Sequence, residues 1–94
     1  MASTGRPDPG SWDAYAVEIG LRLARARQRT GLSQEKVAHR AGLTGNTLHK
    51  LEKGITRPGV PMNPKLRTLL ALAQALDVEV TELLPPAPPG VVAN

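Results

Sequence analysis

QEKVAHRAGLTGNTLHKLEK, residues 34–53, is the stretch on which the fold turns. Val37, Ala38 and Ala41 precede Gly42, and Leu48 and Leu51 follow it, so apolar residues recur at helical spacing on both sides of a glycine. Gly42 stands where one helix ends and the backbone needs positive φ, which glycine accepts because it has no Cβ to clash. Leu43 is placed to plug the angle between the two helices, and Thr44 to cap the second with its hydroxyl. Ser33 caps the first helix, and the small side chain of Ala38 allows the second to cross it closely. At about 100° per residue, Leu48 and Leu51 define the inward side of the second helix. Asn46, His49, Lys50 and Lys53 fall on the opposite arc. That face carries an amide, an imidazole and two ammonium groups and no acid. It suits a surface rich in acceptors and negative charge. An ordinary solvated helix face has the same composition, and it is the turn chemistry beside it that favours DNA.

Working outward, residues 13–30 read as a long helix stopped by Gly31, with Ile19, Leu23, Ala26 and Thr30 on one face and Arg27 at its flank. Arg22, Arg25 and Arg29 point away, Arg25 as solvated charge and the other two as part of a field that draws in polyanions. A second apolar stripe, Ala14, Val17, Leu21 and Ala24, runs along the back of this helix, with Trp12 and Tyr15 at its start. Two readings stand for it: Trp12 or the C-terminal valines fold over it, or it is a surface for a second copy of the chain or another protein. On the other side, Gly54 closes the second helix of the motif and residues 55–62, ITRPGVPM, read as a loop. Asn63-Pro64 reads as a capped helix start. From there Leu66, Leu69, Leu72, Ala73 and Leu76 form an inward stripe up to Asp77, and a short last helix over residues 81–84 closes the core with Leu83 and Leu84. Residues 1–11 read as a flexible arm containing Arg6, residues 12–84 as the folded domain, and residues 85–94 as a Pro-rich tail.

The GLSQ run, the central stretch and the following Glu52-Lys53-Gly54 together resemble the phage-repressor and Cro-type helix-turn-helix family, also called the xenobiotic-response-element family. The resemblance runs from about Ile19 to Leu84, with Gln34, Ala38, Gly42, Leu48 and Leu51 in the family's register. It implies an all-α, compact five-helix, lambda-repressor-like DNA-binding domain with the helix-turn-helix at helices two and three. It implies that residues 44–53 dock in the major groove of double-stranded DNA, with Gly45, Asn46, Thr47, His49 and Lys50 at base edges. Asn46 resembles an adenine reader and Lys50 a guanine reader, while Gly45 departs from the longer polar residue common there. By the same resemblance Ser33, Gln34, Thr44, Lys53, Thr56 and Arg57 meet phosphates, and Arg27 and Glu52 form a structural ion pair between two helices. The loop at residues 55–62 is longer than is usual in the family, and glycine is commoner at the position of Asp77.

Length and composition agree with one small binding domain. The chain has 94 residues, a net charge of +4 and a pI near 10.1, a balance that favours a polyanionic partner. It has no cysteine and no phenylalanine, so disulfides, thiolate zinc sites and thiol nucleophiles are excluded and the core is aliphatic. No apolar run is long enough for a bilayer and no signal-peptide pattern opens the chain. A cytoplasmic, nucleoid-associated protein is expected. His39 and His49 sit on different helices without acidic or thiol companions at ligand spacing, and no Gly-rich phosphate loop is present, so no enzyme, metal or cofactor is expected. Two function classes remain: a transcriptional regulator, in the first place a repressor, that binds specific duplex DNA as a possible dimer, or an adaptor or antitoxin-like module that grips a protein through Trp12, Val17 and Leu21.

Overall fold

A computed structural model describes residues 10–92 of the chain. Five helices run in the order α1 (Trp12–Thr30), α2 (Gln34–Arg40), α3 (Gly45–Lys53), α4 (Leu66–Leu76) and α5 (Val80–Leu83), with a two-stranded hairpin, β1 (Ile55–Arg57) and β2 (Val60–Pro61), between α3 and α4. The expected arm falls mostly at residues 1–9, outside the described residues, and Arg6 with it. Ser11, read as the end of that arm, is instead the cap of α1: its Oγ accepts from the Ala14 N–H at 3.1 Å.

Local chemistry sets most boundaries. Ser33 Oγ accepts from the Lys36 N–H and Thr44 Oγ1 from the Thr47 N–H, each at 3.1 Å, capping α2 and α3. Gly42 turns the chain at φ +76°, and the Leu43 N–H then donates to the Ala38 carbonyl at 2.7 Å, which fixes the bend between the two helices. The core is aliphatic: Ile19, Leu23, Val37, Ala38, Leu48, Leu51, Leu72, Leu76 and Leu83 are all buried, and Met62 joins them from just beyond the hairpin.

A contact with no local signal in the sequence locks α3 against α1. A Cβ built on Gly20 would lie 2.6 Å from the carbonyl oxygens of Leu51 and Glu52, and one built on Gly54 would lie 2.7 Å from the Val17 Cα. Backbone therefore meets backbone at both ends of this crossing, which only glycine permits.

Several expectations are corrected. Residues 55–62 are not an open loop. Pro58 and Gly59 fill the central positions of a tight turn, the proline supplying negative φ and Gly59 taking φ +78°. Ile55 pairs with Pro61 and Arg57 with Val60, leaving Thr56 as a bulge. The helix after it does not start at Asn63-Pro64. Met62 is tied through its N–H to the Gly54 carbonyl at 2.9 Å and through its own carbonyl to the Trp12 indole N–H at 3.1 Å, Lys65 is still extended at ψ 152°, and α4 begins at Leu66. Leu66 shares the angular face of Ala73, seven residues on, yet it opens the helix beyond the edge of the core and is 68% exposed. Thr30 is exposed as well, its hydroxyl donating to the Arg27 carbonyl and accepting from the Leu32 N–H. The last helix covers Val80–Leu83, one residue earlier than expected, because the Glu82 carboxylate accepts from the Glu79 N–H at 2.9 Å and sets its start.

The back of α1 is partly spoken for. Trp12 and Tyr15 stack at a centroid distance of 5.8 Å, and the Tyr15 hydroxyl donates to the Pro85 carbonyl at 2.8 Å. Pro85, read as the start of a solvated tail, is buried, whereas Val91 and Val92 are exposed.

Candidate nucleic-acid interface

The face opposite Leu48 and Leu51 carries Asn46, Thr47, His49, Lys50 and Lys53, all exposed. Its direction is set by a network at the far edge of α3. Arg27 Nε donates to Glu52 Oε2 at 2.6 Å and Arg27 Nη2 to Glu52 Oε1 at 3.0 Å, a two-pronged pair. The third guanidinium nitrogen, Nη1, donates to the Leu32 carbonyl at 3.0 Å, and Gln34 Nε2 donates to Glu52 Oε1 at 2.9 Å. The Arg27–Glu52 pair thus joins α1, the α1–α2 turn, α2 and α3. The Glu52 side chain is only 7% exposed and that of Arg27 17%. The hydrogen bond to Glu52 is the largest influence on Arg27 and raises its pKa above the ordinary arginine value; the charge of Glu52 acts the same way and burial opposes both.

The residues expected at phosphate divide in two. Lys53, Thr56 and Arg57 are exposed at the end of α3 and along β1. Ser33, Gln34 and Thr44 have part of their hydrogen-bonding capacity committed. Ser33 retains its hydroxyl hydrogen, and Gln34 retains one amide hydrogen beyond the bond to Glu52. Thr44 has none free, because its hydroxyl donates to Thr47 Oγ1 at 2.9 Å.

Ser33, Gln34, Glu35, Gly45, Asn46 and His49 line a shallow groove of about 410 Å³ where the starts of α2 and α3 meet. Both helix starts direct unpaired backbone N–H groups outward, which suits anionic oxygen. Glu35 was not anticipated here. It occupies the space a side chain at Gly45 would fill, its Cγ lying 2.8 Å from a Cβ built there, so the missing side chain at 45 brings a carboxylate to an otherwise basic face. The signal was Glu35 itself, one residue into α2, but recognising it required the distance to Gly45. Lys36, His39 and Arg40 continue the basic surface along the exposed side of α2. Among the described residues, no three His, Cys, Asp or Glu side chains gather to hold a metal ion, and no helix is long and apolar enough to cross a membrane.

Residues 18–84 match the helix-turn-helix domain family. An HTH-type transcriptional regulator of Sinorhizobium fredii, y4dJ, is 41% identical over 68 residues, covering 72% of this chain and 80% of its own. Among solved structures, the restriction-modification controller protein C.AhdI from Aeromonas hydrophila superposes with a TM-score of 0.67 at 38% identity, over 76% of this chain and 98% of its own. SinR, the master regulator for biofilm formation, solved in complex with DNA, superposes with a TM-score of 0.59 at 29% identity, over 69% of this chain and 95% of its own. The chain belongs to the helix-turn-helix domain family; it is a DNA-binding protein of the transcription-regulator class.

Proposed function

We propose that the chain is a sequence-specific repressor that lays α3 in the major groove, reads bases with Asn46, Thr47, His49 and Lys50, and holds the flanking phosphates with Ser33, Gln34, Lys53, Thr56 and Arg57. The observation that carries this reading is the exposed, acid-free face of α3, held at one angle by the Arg27–Glu52 pair and the glycine contacts with α1. Asn46 suits the N6 and N7 edge of adenine, and Lys50 suits O6 and N7 of guanine. Glu35, beside Gly45, is positioned to accept from the N4 amino group of cytosine and to disfavour a base presenting only acceptors. Gly45 contributes its backbone N–H at the helix start, and Thr44 acts by holding Thr47. The protein works in the cytoplasm on the nucleoid, by binding alone and without catalysis.

A two-fold symmetric operator read by two copies would have half-sites about 34 Å apart. The adaptor reading through Trp12, Val17 and Leu21 has less to stand on: the Trp12 indole N–H is held by Met62, the Val17 backbone lies against Gly54, and of the three only Leu21 is exposed, at 39%. Selection of bound duplexes from a random pool tests the proposal. A single recovered motif is expected, and Lys50→Ala should weaken it by about 1–3 kcal/mol while relaxing one base position. Equal losses on selected and random duplexes would reduce Lys50 to a phosphate contact, and recovery of no motif would overturn sequence-specific binding.

A further inference from the structure

Three arginines on α1 take no part in the face just described. Arg25 and Arg29 each stand two residues from Arg27, which at about 100° per residue turns them roughly 160° away from the side that meets Glu52 and α3. With Arg22 they follow an i, i+3, i+7 pattern, one stripe spanning about 10 Å of helix. This stripe and Glu82 of α5 line a groove of about 370 Å³.

The groove has an unusual hydrogen-bonding balance. Arg22 Nη1 donates to the Glu82 backbone carbonyl at 3.3 Å, which anchors the guanidinium against α5. Its Nε is buried and, among the described residues, has no partner, an arrangement that costs free energy unless an acceptor arrives. Arg25 and Arg29 are exposed, and among the described residues no carboxylate lies within ion-pair distance of any of the three. The nearest acid in the groove is Glu82, one of whose carboxylate oxygens already accepts from the Glu79 N–H. Three guanidinium groups lining one groove against one committed carboxylate repel one another when the groove is empty. An anion with several oxygens satisfies all three together.

We propose that the Arg22–Arg25–Arg29 groove between α1 and α5 is a second anion site, separate from the α3 face, that takes a chain of two or more phosphoryl groups. Guanidinium forks match phosphoryl oxygens two at a time, and the spacing of the stripe suits linked groups better than a single small ion. The phosphoryl groups come either from a soluble polyphosphorylated molecule or from a stretch of DNA backbone that wraps past the groove.

The 94-residue chain titrated with sodium tripolyphosphate, followed by calorimetry and by the arginine Nε–H signals in NMR, tests the site. Saturable one-to-one binding is expected, with the Arg22 Nε–H signal shifting and Arg25→Gln and Arg29→Gln each weakening affinity by about tenfold. Both side chains are exposed, so these variants keep the fold. Arg25→Lys with Arg29→Lys keeps the charge and removes the forks, and should weaken binding as well. Lys36→Gln with Arg40→Gln, which removes the same charge from α2, should leave it unchanged. Absence of saturable binding, wild-type affinity in the double lysine variant, or an equal loss in the α2 variant would overturn the proposal. Duplex binding by Arg25→Gln/Arg29→Gln identifies the source: a shallower salt dependence assigns the phosphoryl groups to DNA, and an unchanged one assigns them to a soluble ligand.

Discussion

Glu52 is the residue on which the orientation of α3 depends. It accepts from Arg27 twice and from Gln34 once, and its side chain is almost wholly buried. Arg27→Met removes the partner and leaves that carboxylate stranded, so a loss of about 3–5 kcal/mol is expected in urea melts. Arg27→Met with Glu52→Leu should recover most of it, because an apolar pair of similar volume escapes the desolvation cost. A double variant no more stable than the single one would show that the pair is a net contributor. The pH dependence has a definite sign. Since folding raises the Arg27 pKa, the stabilisation is fully present below the ordinary arginine value and fades only as pH climbs through the raised one. The Arg27→Met deficit should therefore be the same at neutral pH and at about pH 10. Gly20 is a second single-residue dependence. Alanine there gains about 1 kcal/mol of helix propensity, yet its methyl would fall 2.6 Å from two backbone carbonyl oxygens. Gly20→Ala should be destabilising overall, by about 1–3 kcal/mol, and a higher melting temperature would contradict the close approach.

At the scale of elements, the helix-turn-helix was legible because its signals are local. Ser33 and Thr44 cap within three residues of themselves, and Gly42 needs only its own φ. The hairpin was not legible, although Pro58-Gly59 marks a turn, because a three-residue strand facing a two-residue one carries too little alternation to be seen before the pairing is known. The start of α4 was misplaced for a related reason: hydrogen bonds from Gly54 and Trp12, eight and fifty residues away, hold Met62 and override the Asn-Pro cap signal. Within the candidate interface the exposed positions of α3 follow from helix angle alone, whereas the approach of Glu35 to Gly45 depends on how two helices cross. The end of α4 offers a test. Asp77 takes φ +56°, and the Val78 N–H donates to the Ala73 carbonyl at 3.0 Å, as in a glycine-terminated helix. Left-handed backbone costs a side-chain-bearing residue about 1–2 kcal/mol, partly offset by the greater unfolded entropy of glycine. Asp77→Gly should therefore raise stability by up to about 1 kcal/mol, read as a later urea midpoint; an earlier midpoint would mean that the aspartate side chain supports the cap.

Across the whole molecule, the segments flanking the family match are fastened to each other. Tyr15 precedes residues 18–84 and Pro85 follows them, and the hydroxyl-to-carbonyl bond between the two closes the domain at the start of α1. Tyr15→Phe should cost about 1 kcal/mol and increase the proteolytic sensitivity of the chain after Leu84, while leaving duplex affinity intact. A loss of duplex binding would instead link the tail to the interface. The glycine-to-backbone seam between α1 and α3 has a further consequence. Because that seam engages neither Asn46, His49 nor Lys50, those three positions are free to change letter by letter without disturbing the chassis behind them. A combinatorial library confined to them would explore operator preferences with folding held constant, making the domain a candidate platform for reprogrammed switches.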